Sequence, residues 1–309
     1  MNALNNAEVS GRRGGSRIGG GKMAIGDRSD GIKLRRLPGF RKIFPFLMRT
    51  RTESAAYHLK RLKIGRTLAW LDRANAGREK KISFFQVVLA AGVRTLALRP
   101  EANRFIAGLR LYQRRTIDLS FVIKRELTEQ ASETTIKLTF DPRSTIADVS
   151  ERVTAAVRAT KQSRTSADEK LAGVVTGGPR SLTRLVIWAA RTLDYFGLLP
   201  SRLIKEDPMY ASAFLANLGS LGLDAIYHHL YEWGNAPFFI VIGKRKKEPG
   251  INESGEVEAQ DVVDINICLD ERIADGVYFA RTIDLLADLI ENPEKLETAP
   301  ENLPDPFSV

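Results

Sequence analysis

One cysteine, three histidines and three tryptophans in 309 residues leave little material for covalent redox or metal chemistry. Cys268 alone cannot close an internal disulfide. It falls in the alternating run 263–270, where a buried strand position is the plain reading and a reactive thiol the alternative. His228 and His229 are adjacent and His58 stands alone, so the spacing that ties a metal down is missing and no metal site is expected. No run of about 18 apolar residues exists to cross a bilayer, and no apolar signal segment opens the chain, so a cytoplasmic protein is expected. With 43% hydrophobic residues the composition also excludes a disordered chain.

Charge of one sign is scarce at each end. Residues 1–66 hold sixteen Lys/Arg and four Asp/Glu, whereas residues 248–309 hold three Lys/Arg and sixteen Asp/Glu. The net charge of +10 therefore belongs to the N-terminal end, with a basic middle and an acidic last fifth. A gradient of this kind bears on steering and self-association, and it argues against nucleic acid as the main partner.

Residues 1–34 form a Gly-, Arg- and Ser-rich extension, expected to be disordered, ahead of one body over 35–300 and a short tail over 301–309. Gly21-Lys22 superficially suggests a phosphate-binding loop. That loop needs Gly at 16 and Ser or Thr at 23; Ser16 and Met23 stand there, and no strand precedes them. Met23 is an alternative start. The stretch 35–48 sets Phe40, Phe44 and Phe46 among basic residues, with Pro38 and Pro45 preventing one long helix. It reads as an arm docking on its own or a neighbouring subunit, with an anionic membrane surface or stacking on bases as alternatives.

Ser83 is an N-cap for a helix closed before Pro100. Two short strands turn at Gly108, strands follow at 117–125 and 134–140, and a helix runs over 146–162. Residues 53–76 fit helix or strand. An amphipathic helix at 180–197 is expected to pack on the body. Strands at 213–217, 237–243 and 262–269 and a last helix at 275–291 complete an alternation without repeat period, which indicates an α/β fold with a mixed sheet. Residues 227–234 are read as lying on a further strand, with the two histidine side chains on opposite faces.

The turn after the last strand reads Asp270-Glu-Arg-Ile-Ala-Asp-Gly (270–276) and feeds a helix N-terminus, a place where side chains meet free amides and a positive dipole. This segment resembles the C-terminal catalytic segment of the acyltransferase component of 2-oxo-acid dehydrogenase complexes, and through it chloramphenicol acetyltransferase, where the turn reads Asp-His-Arg-x-x-Asp-Gly. The helix from Ser83 with Pro100-Glu-Ala-Asn, and Asn217-Leu-Gly-Ser-Leu-Gly with the strand ending at Gly243, are similar to further stretches of that superfamily. The resemblance implies a two-layer mixed-sheet sandwich of the coenzyme A-dependent acyltransferase type. It further implies a homotrimer with an active-site channel between subunits, and coenzyme A or acyl-CoA as co-substrate. The first 50 residues fit no lipoyl domain, so no lipoyl group is expected on this chain.

Glu271 stands where that family has its catalytic histidine, while Arg272, Asp275 and Gly276 keep their places. A carboxylate near its ordinary pKa of about 4.3 matches poorly to a thiol near about 8.5 unless burial raises it. The family's oxyanion-stabilising hydroxyl falls near Ala225–Tyr227, where Tyr227 alone carries one. His228 and His229, in the stretch that by resemblance lines the channel, are candidates for the missing imidazole. Structural histidines packed among Tyr231 and Trp233 are the alternative. The expected catalytic residues are thus Glu271, His228 or His229 as base, Tyr227 as oxyanion donor and Asp275, retained in the turn. Transfer of an acyl group from a coenzyme A thioester is the expected activity, and a catalytically silent scaffold the alternative.

Overall fold

The computed structural model describes residues 24, 26–124, 133–162, 177–251 and 254–308. The glycine-rich stretch with its rejected phosphate loop, and Met23, lie outside them.

Among the described residues nine strands form two sheets. A six-stranded sheet has the order β2 (Ala55–Lys63), β9 (Val257–Asp270), β8 (Phe238–Ile251), β7 (Ala213–Asn217), β5 (Ile117–Lys124), β6 (Glu133–Phe140). Its β5–β7 and β7–β8 pairs are parallel and the others antiparallel, so the sheet is mixed as expected. A smaller sheet joins β1 (Gly31–Lys33), β4 (Arg110–Arg114) and β3 (Arg104–Ala107).

Helices α2 (Gly65–Ala74), α3 (Phe84–Leu98), α4 (Ile146–Gln162) and α7 (Gly276–Glu291) build the second layer. Ser83 caps α3 reciprocally with Gln86, each side chain accepting from the other's backbone N–H. Eleven of the fifteen α3 residues are buried, because its apolar positions run nearly all round. The main core lies between these helices and one sheet face, with Val87, Leu89, Leu119, Phe121, Leu215, Ile265 and Ile290 sealed in it. Residues 55–63 become strand because β9 offers a nine-residue antiparallel partner; the helical spacing wins only after Gly65. Strands β8 and β9 run longer than expected, pairing outward to Ile251↔Val257.

Three differences matter for function. Residues 26–34 are folded: β1 pairs with β4, and Arg28 is fully buried on Asp30 and Asp194. A basic residue with two committed carboxylates has no reason to remain outside. Second, the helix α5 (Arg180–Tyr195) forms as expected but packs little: none of its residues is buried, and Leu185 (58%) and Trp188 (64%) face solvent. It is anchored mainly at its C-terminal end, where Asp194 meets Arg28 and Ala190 touches the small cluster around Leu199, Ile204 and Tyr210. Third, α1 (Gly39–Leu47) contains Pro45 while Pro38 serves as its N-cap residue, and Phe40 and Phe46 are exposed within this chain. Pro45 has no N–H to give the Arg41 carbonyl, so the helix forms at the loss of one hydrogen bond. A short helix, α6 (Ser201–Glu206), follows α5.

Candidate functional site

The strand-to-helix turn is built around a buried ion pair. Asp270 ends β9 beside Ala55 of β2, and its carboxylate takes Nε and Nη2 of Arg272 at 2.8 and 2.7 Å and the Arg272 N–H at 3.1 Å. Arg272 Nη1 donates to the Met48 carbonyl at 2.8 Å, so the turn is tied to the segment after α1. Asp275 caps α7, accepting from the Tyr278 N–H at 2.7 Å, and its second oxygen takes Arg41 Nη2 at 3.0 Å. Arg41 also reaches the Ile273 carbonyl. Asp275 therefore holds the turn and the arm in place.

Glu271 sits between these anchors. Its N–H donates to the Ser54 carbonyl at 3.0 Å, and its side chain is exposed. The burial that a carboxylate base of the required strength needs is absent in the single chain.

The histidine pair lies elsewhere on the sheet. Cross-strand pairing puts Phe214, Phe239, Cys268 and Tyr57 in one row over β7, β8, β9 and β2, on the face away from the main core. His228 stacks on Phe239 with ring centroids 3.7 Å apart, and His229 stacks on His228 at 4.8 Å. Tyr227 packs edge-on against Tyr57 at 6.0 Å, its ring exposed. The expectation that adjacent histidines point to opposite faces fails. Residues 223–231 form no ladder; Lys244 N–H to Leu223 O at 2.8 Å and Asn266 Nδ2 to Ala225 O at 2.9 Å pin them across β8 and β9 instead. Gly243 makes that crossing possible, since any Cβ there would run into the Ala225 backbone.

Each imidazole meets a carbonyl: His228 Nδ1 at 2.7 Å from His229 O, and His229 Nδ1 at 2.9 Å from Leu230 O. A carbonyl only accepts, so in the neutral form of each ring Nδ1 carries the proton and Nε2 the lone pair. Burial holds the His228 pKa below its ordinary value, against the pull of its carbonyl partner. Both features suit a neutral base. Beneath, Cys268 is buried and its thiol is pushed up to about 11 by desolvation, which fits the structural reading of that residue.

The structure thus gathers Tyr227, His228 and His229 in one place, and Glu271 and Asp275 in another. Glu271 lies three positions along the chain from Cys268, roughly 10 Å of extended backbone. Among the described residues no hydrogen bond or ion pair links Glu271 to either histidine.

Sequence reasoning passed over one cluster. A cavity of about 190 Å³ opens between the segment after α1, the β3–β4 turn, the end of α5 and residues 232–234, with Arg49, Arg51, Arg191 and Arg272 on its wall. Arg51 is buried, donating to the Ala236 and Gly234 carbonyls at 2.9 and 3.0 Å. The available signal was the basic run at 49–51 and Arg191 on the amphipathic helix; their meeting needs the fold.

Residues 201–298 match the family model of the 2-oxoacid dehydrogenases acyltransferase (catalytic domain). The whole fold is similar to that of a probable dihydrolipoamide acetyltransferase from Listeria monocytogenes, with TM-score 0.56 and 13% identity over 89% of this chain and 98% of that one. It is similar to the dihydrolipoamide acetyltransferase of Azotobacter vinelandii, with TM-score 0.57 and 12% identity over 85% and 94%; that structure addresses the role of a serine, a histidine and an asparagine in catalysis. A chloramphenicol acetyltransferase gives TM-score 0.52 and 14% identity over 84% and 100%. No curated protein matches. The mixed α/β architecture is that of the acyltransferase cores, as the resemblance implied. Among the described residues no helix is long and apolar enough to cross a membrane.

Proposed function

We propose that this acyltransferase-type protein moves an acyl group from a coenzyme A thioester to a thiol, hydroxyl or amine, as a homotrimer whose channel lies between subunits. The observation that carries the reading is the retained turn of residues 270–276, rigid about its Asp270–Arg272 pair, inside the segment that matches the catalytic-domain family. A base would take the acceptor's proton, the acceptor atom's lone pair would attack the thioester carbonyl, and the C–S bond would break as the base passes the proton to the leaving thiolate.

The base would be Nε2 of His228 or His229, or the Glu271 carboxylate. Among the described residues no hydrogen bond is made by either histidine Nε2, and burial holds the His228 pKa below its ordinary value, which favours the neutral ring. Glu271 needs cover from a second subunit to serve. Tyr227 would supply the oxyanion hydroxyl, and the basic middle of the chain suits the phosphates of coenzyme A.

A catalytically silent scaffold is the second reading. It is favoured by the exposure of Glu271 at the family's histidine position and by its separation from the imidazoles.

Calorimetric titration with acetyl-coenzyme A, with thiol release followed against a panel of thiol, hydroxyl and amine acceptors, decides between them. Binding with turnover that falls at least about ten-fold in His228→Gln or His229→Ala, as expected for removing a general base, supports the enzyme. Binding or assembly without turnover supports the scaffold. Solution mass tests the trimer; a monomer removes the shared channel.

A further inference from the structure

The cavity walled by Arg49, Arg51, Arg191 and Arg272 has a charge imbalance that the protein does not resolve internally. Arg272 is matched by Asp270. The Arg51 guanidinium is buried and donates to carbonyl oxygens, and desolvation pulls its pKa down against the charges of Asp270 and Glu232. Arg49 and Arg191 have no carboxylate partner among the described residues. Of the two acids on the wall, Asp194 is bonded to Arg28 at 2.7 Å, and Glu232 accepts from the Thr52 and Arg51 N–H groups and the Thr52 hydroxyl. With Arg272 paired to Asp270, three guanidinium groups face two carboxylates on the wall, Asp194 bonded to Arg28 and Glu232 held by neutral donors. A buried cation held only by neutral carbonyls is costly, and an anion placed against it removes that cost.

The opposite wall is apolar and strained. Leu109, with φ of 58°, is the one non-glycine residue at positive φ among those described, and with Ile106 and Trp233 it lines the cavity. A leucine in that conformation carries a steric penalty that a glycine would avoid. Strain of this kind persists where a particular side chain is wanted. The preceding Gly108 presses on the Tyr195 carbonyl so closely that no Cβ fits, fixing this turn against α5.

We propose that the cavity is a binding site for a small organic acid, with its carboxylate or phosphate held by Arg49, Arg51 and Arg191 and its apolar body against Leu109 and Trp233. Guanidinium forks suit either head group, which they engage through paired charge-assisted hydrogen bonds. At about 190 Å³ the cavity is smaller than the roughly 300–1,000 Å³ of drug-sized sites, so it suits a single-ring or short-chain acid. This site does not depend on the acyl-transfer reading, since its occupancy is read without turnover.

Calorimetry on the full chain with benzoate, phenyl phosphate and benzyl alcohol tests it. The two anions should bind at least about ten-fold more tightly than the alcohol, and Arg49→Gln and Arg191→Gln should each weaken them by about ten-fold, as for a lost charge-assisted contact. Both arginines are exposed, so these variants should keep the wild-type melting temperature. Leu109→Ala should weaken phenyl phosphate and benzoate while leaving inorganic phosphate unchanged. Anions that bind no better than the alcohol, or bind the double variant Arg49→Gln/Arg191→Gln as they bind wild type, overturn the proposal. So does adenosine 3′,5′-bisphosphate displacing both anions, because the arginines would then serve a nucleotide.

Discussion

Arg272 grips Asp270 through both carboxylate oxygens, at 2.8 and 2.7 Å, and neither side chain reaches solvent. The pair closes the turn between β9 and α7, and through the Met48 carbonyl it fastens the arm segment as well. Removing one partner strands a buried charge. Arg272→Met should therefore lose about 3–5 kcal/mol in urea unfolding, and Asp270→Leu/Arg272→Met clearly less than the sum of the two single changes. A single-variant loss below about 1 kcal/mol, the range of an exposed pair, would show that the turn is not held this way.

The His228 ring, stacked on Phe239, titrates below its ordinary value because burial disfavours the imidazolium. The unfolded chain takes up this proton first as pH falls through about 6.5, so His228 works against folding below that pH. The His228→Gln protein should lose stability less steeply than wild type between pH 6.5 and more acid conditions, as read by thermal melts in a pH series. Phe239→Leu should raise the His228 midpoint in an NMR titration; an unmoved midpoint refutes the stacking as its cause.

Cys268 has its thiol pushed up to about 11 by burial. A neutral acid protected in this way supports folding fully below the unfolded value of about 8.5 and loses that contribution as pH rises toward the folded one. Thiol reagents at pH 8 should leave the native protein unlabelled and react promptly in urea. The difference in stability between wild type and Cys268→Ala should shrink from pH 8 to pH 11. Rapid native labelling would contradict the buried assignment.

Gly108 and Leu109 form a turn with both residues at positive φ. Gly108→Ala meets the Tyr195 carbonyl as well as the backbone penalty, and should cost at least about 1–2 kcal/mol. Its hydrogen exchange should rise first in α5, which is anchored mainly at that end. Leu109→Gly should relieve strain, and at most a small fall in melting temperature is expected from the lost apolar contact. Equal losses from both changes would argue against the strain.

Much of the fold was open to reading along the chain. Ser83 marks the start of α3, the alternation at 117–125 marks β5, and the pattern over 146–162 marks α4, because capping and side-chain period are local properties. Local rules stop where long-range pairing competes. The β2 strand over Ala55–Lys63 forms because β9 is present to pair with it, and the arrangement of His228 beside His229 depends on Gly243 letting a distant segment cross β8.

The sequence by itself determined the α/β alternation, the turn of residues 270–276 with Glu271 in place of histidine, and the charge gradient, since each is carried by neighbouring residues. Tertiary structure alone decided that Arg28 is buried on Asp30 and Asp194, which are two and 166 residues away, and that Arg49, Arg51, Arg191 and Arg272 share one cavity. Such meetings depend on how distant elements pack. A guanidinium's partner, or its lack of one, is set by what the fold brings within hydrogen-bond reach, and no pattern within a short window encodes it.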